Sequence, residues 1–184
     1  MRAPTSIAAV ALAVLLLSGC VPQQSTNTPT PEPSSTPVFA SEEEALAAAT
    51  AAYAAYLAVS DQIGADGGAN PERLEPLVTA EWLTKEIGVY EKFALTKNSL
   101  QGSTTFRESK LQRLSEESGG EAEVVIYTCT DFSATRFIDA VGADVTPVDR
   151  QTTAGLEIAF VIEDGDSARL FLAGSEPWST DALC

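Results

Sequence analysis

The 184 residues contain no histidine, and the side chains whose spacing bears on chemistry are tyrosines, carboxylates and three cysteines. Without imidazole there is no Ser-His-Asp triad, no Cys-His dyad, no zinc site built on imidazole and no unperturbed side chain that changes charge between pH 5 and 8. Phenol and carboxyl remain for acid–base work. Tyr127 and Asp131 fall on one face of a strand-like run, but four residues at about 3.3 Å each set them roughly 13 Å apart, with Cys129 between. Asp139, Asp144 and Asp149 are spaced for a turn-rich connection and lack the ligand order of a calcium loop. No catalytic residue, metal ligand set or cofactor is assigned. Lys and Arg total 11 against 26 Asp and Glu, a net charge of -15, which argues against nucleic acid as a partner.

Cys20 has a different chemistry. Arg2 is followed by the apolar run Ile7 to Leu17, then Ser18, Gly19 and Cys20, the layout of a secretion signal. Eleven residues span about 16 Å as a helix, half of a hydrocarbon core of about 30 Å, so the run is too short to cross a bilayer. Leu17-Ser18-Gly19-Cys20 resembles the lipobox of bacterial lipoproteins, in which the chain is cut before Cys and its sulfur carries a diacylglycerol. The resemblance implies removal of residues 1–19 and attachment to the membrane through Cys20; an ordinary secreted protein with Cys after its cleavage site is the alternative. Residues 20–38 follow as a spacer rich in Pro, Ser and Thr, able to reach roughly 55 Å in extended form. Thr28, Thr30 and Thr36 are candidates for glycosylation, against an unmodified linker. The acidic body is repelled by anionic headgroups and is expected to stand off from the membrane.

The elements that position the remaining residues lie in 39–184. Ser41-Glu42-Glu43-Glu44 forms a capping box that starts a helix. Alanine fills nine of the fourteen positions from Ala45 to Ala58, and Leu46, Tyr53, Leu57 and Ile63 recur near the helical period, with Tyr56 beside them. Ala65-Asp66-Gly67-Gly68 ends it. Asn70-Pro71 then reads as cap and first residue of a short helix presenting Leu74, Leu77 and Val78. Thr79 caps another, in which Leu83, Ile87, Tyr90 and Ala94 predict a buried stripe with Trp82 alongside. Past Asn98 the period shifts to two. Thr104 to Leu114 predicts a polar edge strand, Ser118-Gly119-Gly120 a turn, and Glu121 to Thr130 an inner strand apolar on both faces. Leu156 to Ile162 and Ala168 to Gly174 complete a meander through a turn at Asp164-Gly165. Helices first and strands second predict an α+β fold, with N-terminal helices packed on a curved antiparallel sheet.

With Cys20 assigned to the anchor, Cys129 and Cys184 form an even pair in an oxidising compartment, and a disulfide between them is expected. One reactive thiol, or a bridge between chains, is the competing reading.

Between Ser41 and Cys184 the chain resembles lipidated NTF2-like proteins of high-GC Gram-positive bacteria, whose fold is the cystatin-like cone. The resemblance rests on the Tyr-bearing first helix, the segment 80–95 leading through Gly102 into a strand, and Cys129-Thr130-Asp131. It rests also on Phe137-Ile138-Asp139, on Gly142-Ala143-Asp144-Val145-Thr146-Pro147 with Arg150, and on Ser175-Glu176-Pro177-Trp178 with Cys184. It implies a bent sheet wrapped on a helix around a cone-shaped cavity, a frame that serves enzymes, small-ligand binding and protein docking alike.

Three functions follow as expectations. One is a non-catalytic module displayed at the cell envelope, with an envelope protein as its candidate partner. Another is capture of a small apolar ligand, with Tyr53, Tyr56, Trp82, Tyr90 and Tyr127 as candidate wall residues; core packing is the alternative for each. The third is an isomerase- or cyclase-like enzyme working without histidine, which requires phenol or carboxyl groups to converge in the cavity. Trp178 either anchors a partner or lids the core beside the terminal Cys. The oligomeric state stays open.

Overall fold

The computed structural model describes residues 37–117, 120–162, 169–178 and 184. Leu17, Ser18, Gly19 and Cys20, nearly all of the spacer, and the Asp164-Gly165 turn lie outside the described residues. Among those described, no helix is long and apolar enough to cross a membrane.

Helix α1 covers Glu42–Ala65, and its start follows from its sequence. The Ser41 hydroxyl accepts from the Glu44 N–H at 3.2 Å. The Glu44 carboxylate in turn accepts from the Ala40 N–H at 2.7 Å, one residue before the cap. The helix ends where Gly67 and Gly68 take positive φ values of 69° and 87°. Its buried side begins with Ala45 and Ala49 and continues through Tyr53 and Leu57, a four-residue stride that keeps one face on the sheet. Leu46, expected on that face, is only half-buried.

A 3-10 turn, Pro71–Leu74, follows. Asn70 does not cap it through its side chain; it adopts the left-handed conformation at φ 56°, which Asn tolerates better than most residues. Leu74 is fully buried, and Val78 pairs with Leu172 in a parallel bridge. Helix α2, Ala80–Leu95, starts under Thr79 as expected, with its hydroxyl accepting from the Trp82 N–H at 3.2 Å. The expected buried stripe is corrected here: no residue of α2 is fully buried and Ala94 is exposed. The helix packs against the 3-10 turn and the β6 edge and reaches α1 through side chains, instead of lying inside the core.

The main sheet has the order β2-β3-β5-β6, antiparallel throughout, with β2 as Thr105–Glu116, β3 as Ala122–Asp131, β5 as Thr153–Ile162 and β6 as Phe171–Pro177. The fold is α+β, with helices packed on one face of a curved sheet. Edge strand β2 carries two register shifts, one spanning Glu108 at φ 56°, and such bulges bend a strand and blunt its edge. β3 is central and buries Val124 and Ile126 towards α1, with Val125 and Cys129 on the opposite face. The last strand continues to Pro177, three residues beyond the expected end at Gly174. A two-stranded ribbon, β1 (Ser99–Gln101) with β4 (Arg136–Ile138), was not legible in the sequence, since three-residue strands carry no measurable period.

Cys129 and Cys184 are joined, with Cα atoms 5.3 Å apart across a separation of 55 residues. Nearby, Trp178 donates its backbone N–H to the Gly155 carbonyl at 2.9 Å and stacks its ring on Tyr127, centroids 3.9 Å apart. Trp178 thus lids the outer face of the sheet beside the bridge. Closing a loop of 55 residues is worth about 4 kcal/mol by chain entropy. Replacing both cysteines by Ala should lower the unfolding free energy in urea by about that amount; an unchanged midpoint would show that the bridge contributes nothing.

Candidate functional site

The space between α1 and the sheet is filled by Tyr53, Ile126, Phe160 and Leu172, so the opening is not in the middle of the domain. It lies towards the C-terminal half of α1. There, a cleft of about 480 Å³ is walled by α1, α2, the β1–β4 ribbon and the turn following β3. This is within the size of small-molecule sites, roughly 300–1,000 Å³. Tyr56, Tyr90, Phe93, Leu100, Phe132 and Phe137 supply most of the wall, and Phe93 and Phe137 face each other at 6.2 Å between centroids.

Two of the five expected wall residues are in place. Tyr56 comes from α1 and Tyr90 from α2, and each phenol reaches across to the other helix. Tyr56 donates to the Glu86 carboxylate at 2.8 Å, and Tyr90 donates to the Ser60 carbonyl at 3.3 Å. Burial pushes both phenols above the usual tyrosine range, and the negative charge of Glu86 adds to the shift of Tyr56. Burial also raises the Glu86 carboxyl, against the pull of the Tyr56 hydrogen bond.

The other three are corrected. Tyr53 is core: it is 2% exposed, packs edge-on to Phe106 at 5.0 Å and shares a 2.9 Å hydrogen bond with the Thr130 hydroxyl. Trp82 is half-buried against the same core and does not line the cleft. Tyr127 points to the opposite face of the sheet, because it alternates with Ile126 and Thr128, and sits under Trp178. Asp131 accepts from the Ser133 N–H at 2.7 Å, and its hydrogen bonds with Ser133 hold it below the usual range. It serves as a turn brace, and neither it nor Tyr127 reaches the cleft.

Two charged residues in the cleft wall, Asp61 and Arg150, were not among the expected site residues. Asp61, one helical turn past Leu57, accepts from the Thr104 N–H and hydroxyl at 2.7 and 2.8 Å, tying α1 to the start of β2. Arg150 donates to the Phe132 and Thr135 carbonyls at 2.8 and 2.6 Å and to the Thr135 hydroxyl at 3.2 Å. Only a fold that brings residues 61 and 150 to one cavity makes them neighbours of a ligand. The acids of the intervening loop behave as turn braces: Asp139 accepts from Val141 and Ala143, and Asp144 from Thr146. Among the described residues, no three acidic or cysteine side chains cluster to hold a metal ion.

The Tyr56–Glu86 contact ties the two helices together, and Glu86 is not part of the cleft wall.

No protein-family model matches the chain, and no curated protein matches it either. Among solved structures, it is similar to the intermembrane space region of the chloroplast protein ARC6, at 9% identity and a TM-score of 0.50. That match covers 73% of this chain and 97% of the other. A periplasmic fragment of TraM matches at 14% identity and a TM-score of 0.48, covering 74% and 96%. The first likeness is one of fold alone.

The raised Glu86 carboxyl has a sign that can be checked. The folded state holds its proton more tightly than the unfolded one, so stability contributed by this group falls as pH climbs from 4.5 through the raised value. Glu86→Gln keeps an acceptor for Tyr56 and escapes that loss. Thermal unfolding should show the variant level with the natural protein in acid and more stable than it at pH 7. A deficit of equal size at both pH values would contradict the assignment.

Proposed function

We propose that this chain is a non-catalytic, membrane-anchored binding lipoprotein of the extracytoplasmic face, whose cleft between α1, α2 and the β1–β4 ribbon holds a small, mainly apolar ligand. The observation that carries the binding role is the aromatic-walled opening of about 480 Å³, placed beside a core that is otherwise filled. Such a cavity, apolar with a few fixed polar groups, is the usual form of a ligand site. The anchor rests on the Leu17-Ser18-Gly19-Cys20 signal. Two fatty chains hold a protein at a bilayer without further contact, at about 0.8 kcal/mol per buried methylene. Compatible with export is the Cys129–Cys184 bridge, since such bonds persist in oxidising compartments. The resemblance to NTF2-like lipoproteins supports the same reading. On this view the spacer sets the distance from the membrane, and the cleft meets its ligand in water.

Native mass spectrometry of the full chain, produced in a lipoprotein-processing bacterium and released from membranes in detergent, tests both parts. The expected species lacks residues 1–19, carries a diacylglyceryl group on Cys20, and retains a small noncovalent ligand that Val89→Trp at the cleft rim displaces. A full-length, unacylated chain in the soluble fraction would overturn the anchor. Bare polypeptide under all gentle conditions would overturn the ligand site.

A further inference from the structure

The cleft presents one carboxylate, Asp61, and one guanidinium, Arg150, among apolar walls. Among the described residues neither takes part in an ion pair within 4.0 Å, either with the other or with a third group, although the Arg150 charge contributes to holding the Asp144 carboxyl low. Both are held in place by neutral partners. The two Asp61 oxygens each accept one bond from Thr104, which leaves each a further lone pair. Of the five N–H groups of a guanidinium, Arg150 engages three, on Phe132 and Thr135, and two remain. A ligand without charge would displace water from both half-buried groups and compensate neither, which weakens binding. A singly charged ligand would relieve one and strand the other. An anion would also meet the field of a chain with net charge -15.

We infer that the cleft ligand is a small zwitterion with an apolar body, its amine end at Asp61 and its acid end at Arg150: an apolar amino acid or a short apolar peptide with free termini. This rests on the small-ligand reading above and narrows it. The two positioned charges fix the ligand's direction in the cleft, and the aromatic walls select its side chains. A net-neutral ligand is not turned away by the acidic surface.

Isothermal titration of the full chain with phenylalanine and with phenylalanyl-leucine, each free, N-acetylated and C-amidated, tests the assignment. The free forms should bind, and blocking either end should weaken binding about ten- to hundredfold, as loss of a charged hydrogen-bonded contact does. Arg150→Gln should lose the preference for acid over amide, and Asp61→Asn the preference for amine over acetyl-amine, while each keeps the other discrimination. If Arg150→Gln unfolds by circular dichroism, the acid-against-amide comparison on the natural chain reads the same contact. Val89 is 59% exposed and Val89→Trp should weaken every probe without disturbing the fold. Equal affinity for doubly blocked and free forms overturns the zwitterion and leaves a neutral apolar ligand. No binding by any probe also overturns it, and a ligand retained in native mass spectrometry would then show that the cleft itself still stands as a site.

Discussion

The seating of α1 on β3 is the contact on which the rest depends. Ala45 and Ala49 have no exposed surface, and they share one buried cluster with Val124 and Ile126 of β3 and with Ile158 and Phe160 of β5. Methyl side chains let the helix backbone come close to the sheet, and larger residues there would overpack the interface. Tyr53 then fills the next turn and satisfies its hydroxyl on Thr130, so a polar group enters the core without an unpaired donor. With one end of α1 fixed in this way, the chain that follows has a wall to build against. The 3-10 turn, α2 and the β1–β4 ribbon are arranged around its other end.

At that end the helix changes occupation from core to cavity. Tyr56, Ser60 and Gly64 succeed Ala45, Ala49 and Tyr53 along the helix, and they face α2 and the ribbon instead of the main sheet. The two crossed hydrogen bonds, Tyr56 with Glu86 and Tyr90 with Ser60, advance together along both helices. They hold α2 at a fixed spacing although none of its residues is fully buried. A half-buried helix held by two polar rungs keeps a cleft open where a fully buried one would collapse into it. The same rungs engage both phenols as hydrogen-bond donors, so the tyrosines fix the shape of the site.

Local signals were readable wherever the physics is local. The Ser41 and Thr79 caps, the double-glycine stop after α1, and the two-faced apolar run of β3 each follow from a few neighbouring residues. The pairing of Cys129 with Cys184 followed from counting. Long-range geometry was not readable. Leu83, Ile87, Tyr90 and Ala94 have the spacing of a core stripe, yet their depth depends on what faces them, and the pattern of one helix cannot state that. Tyr127 belonged to an apolar strand in sequence, but which face the helices cover is decided by the pairing of the whole sheet. Asp61 and Arg150 were not singled out as site residues, because 89 positions separate them and only the fold brings them to one cavity. Asn70 was read as a cap from its proline neighbour, and the left-handed turn it makes uses the same residue for a different reason.

Gly102 shows how the chain after β1 meets the turn that follows β3. It follows β1 with φ 90°, and a side chain there would run into the Ala134 carbonyl and the Thr135 backbone. The loop leaving the ribbon therefore rests main chain against main chain on the turn that Arg150 clasps. Replacements at Phe93, Leu100 or Phe137 change the side chains of the cleft wall and leave this backbone contact in place.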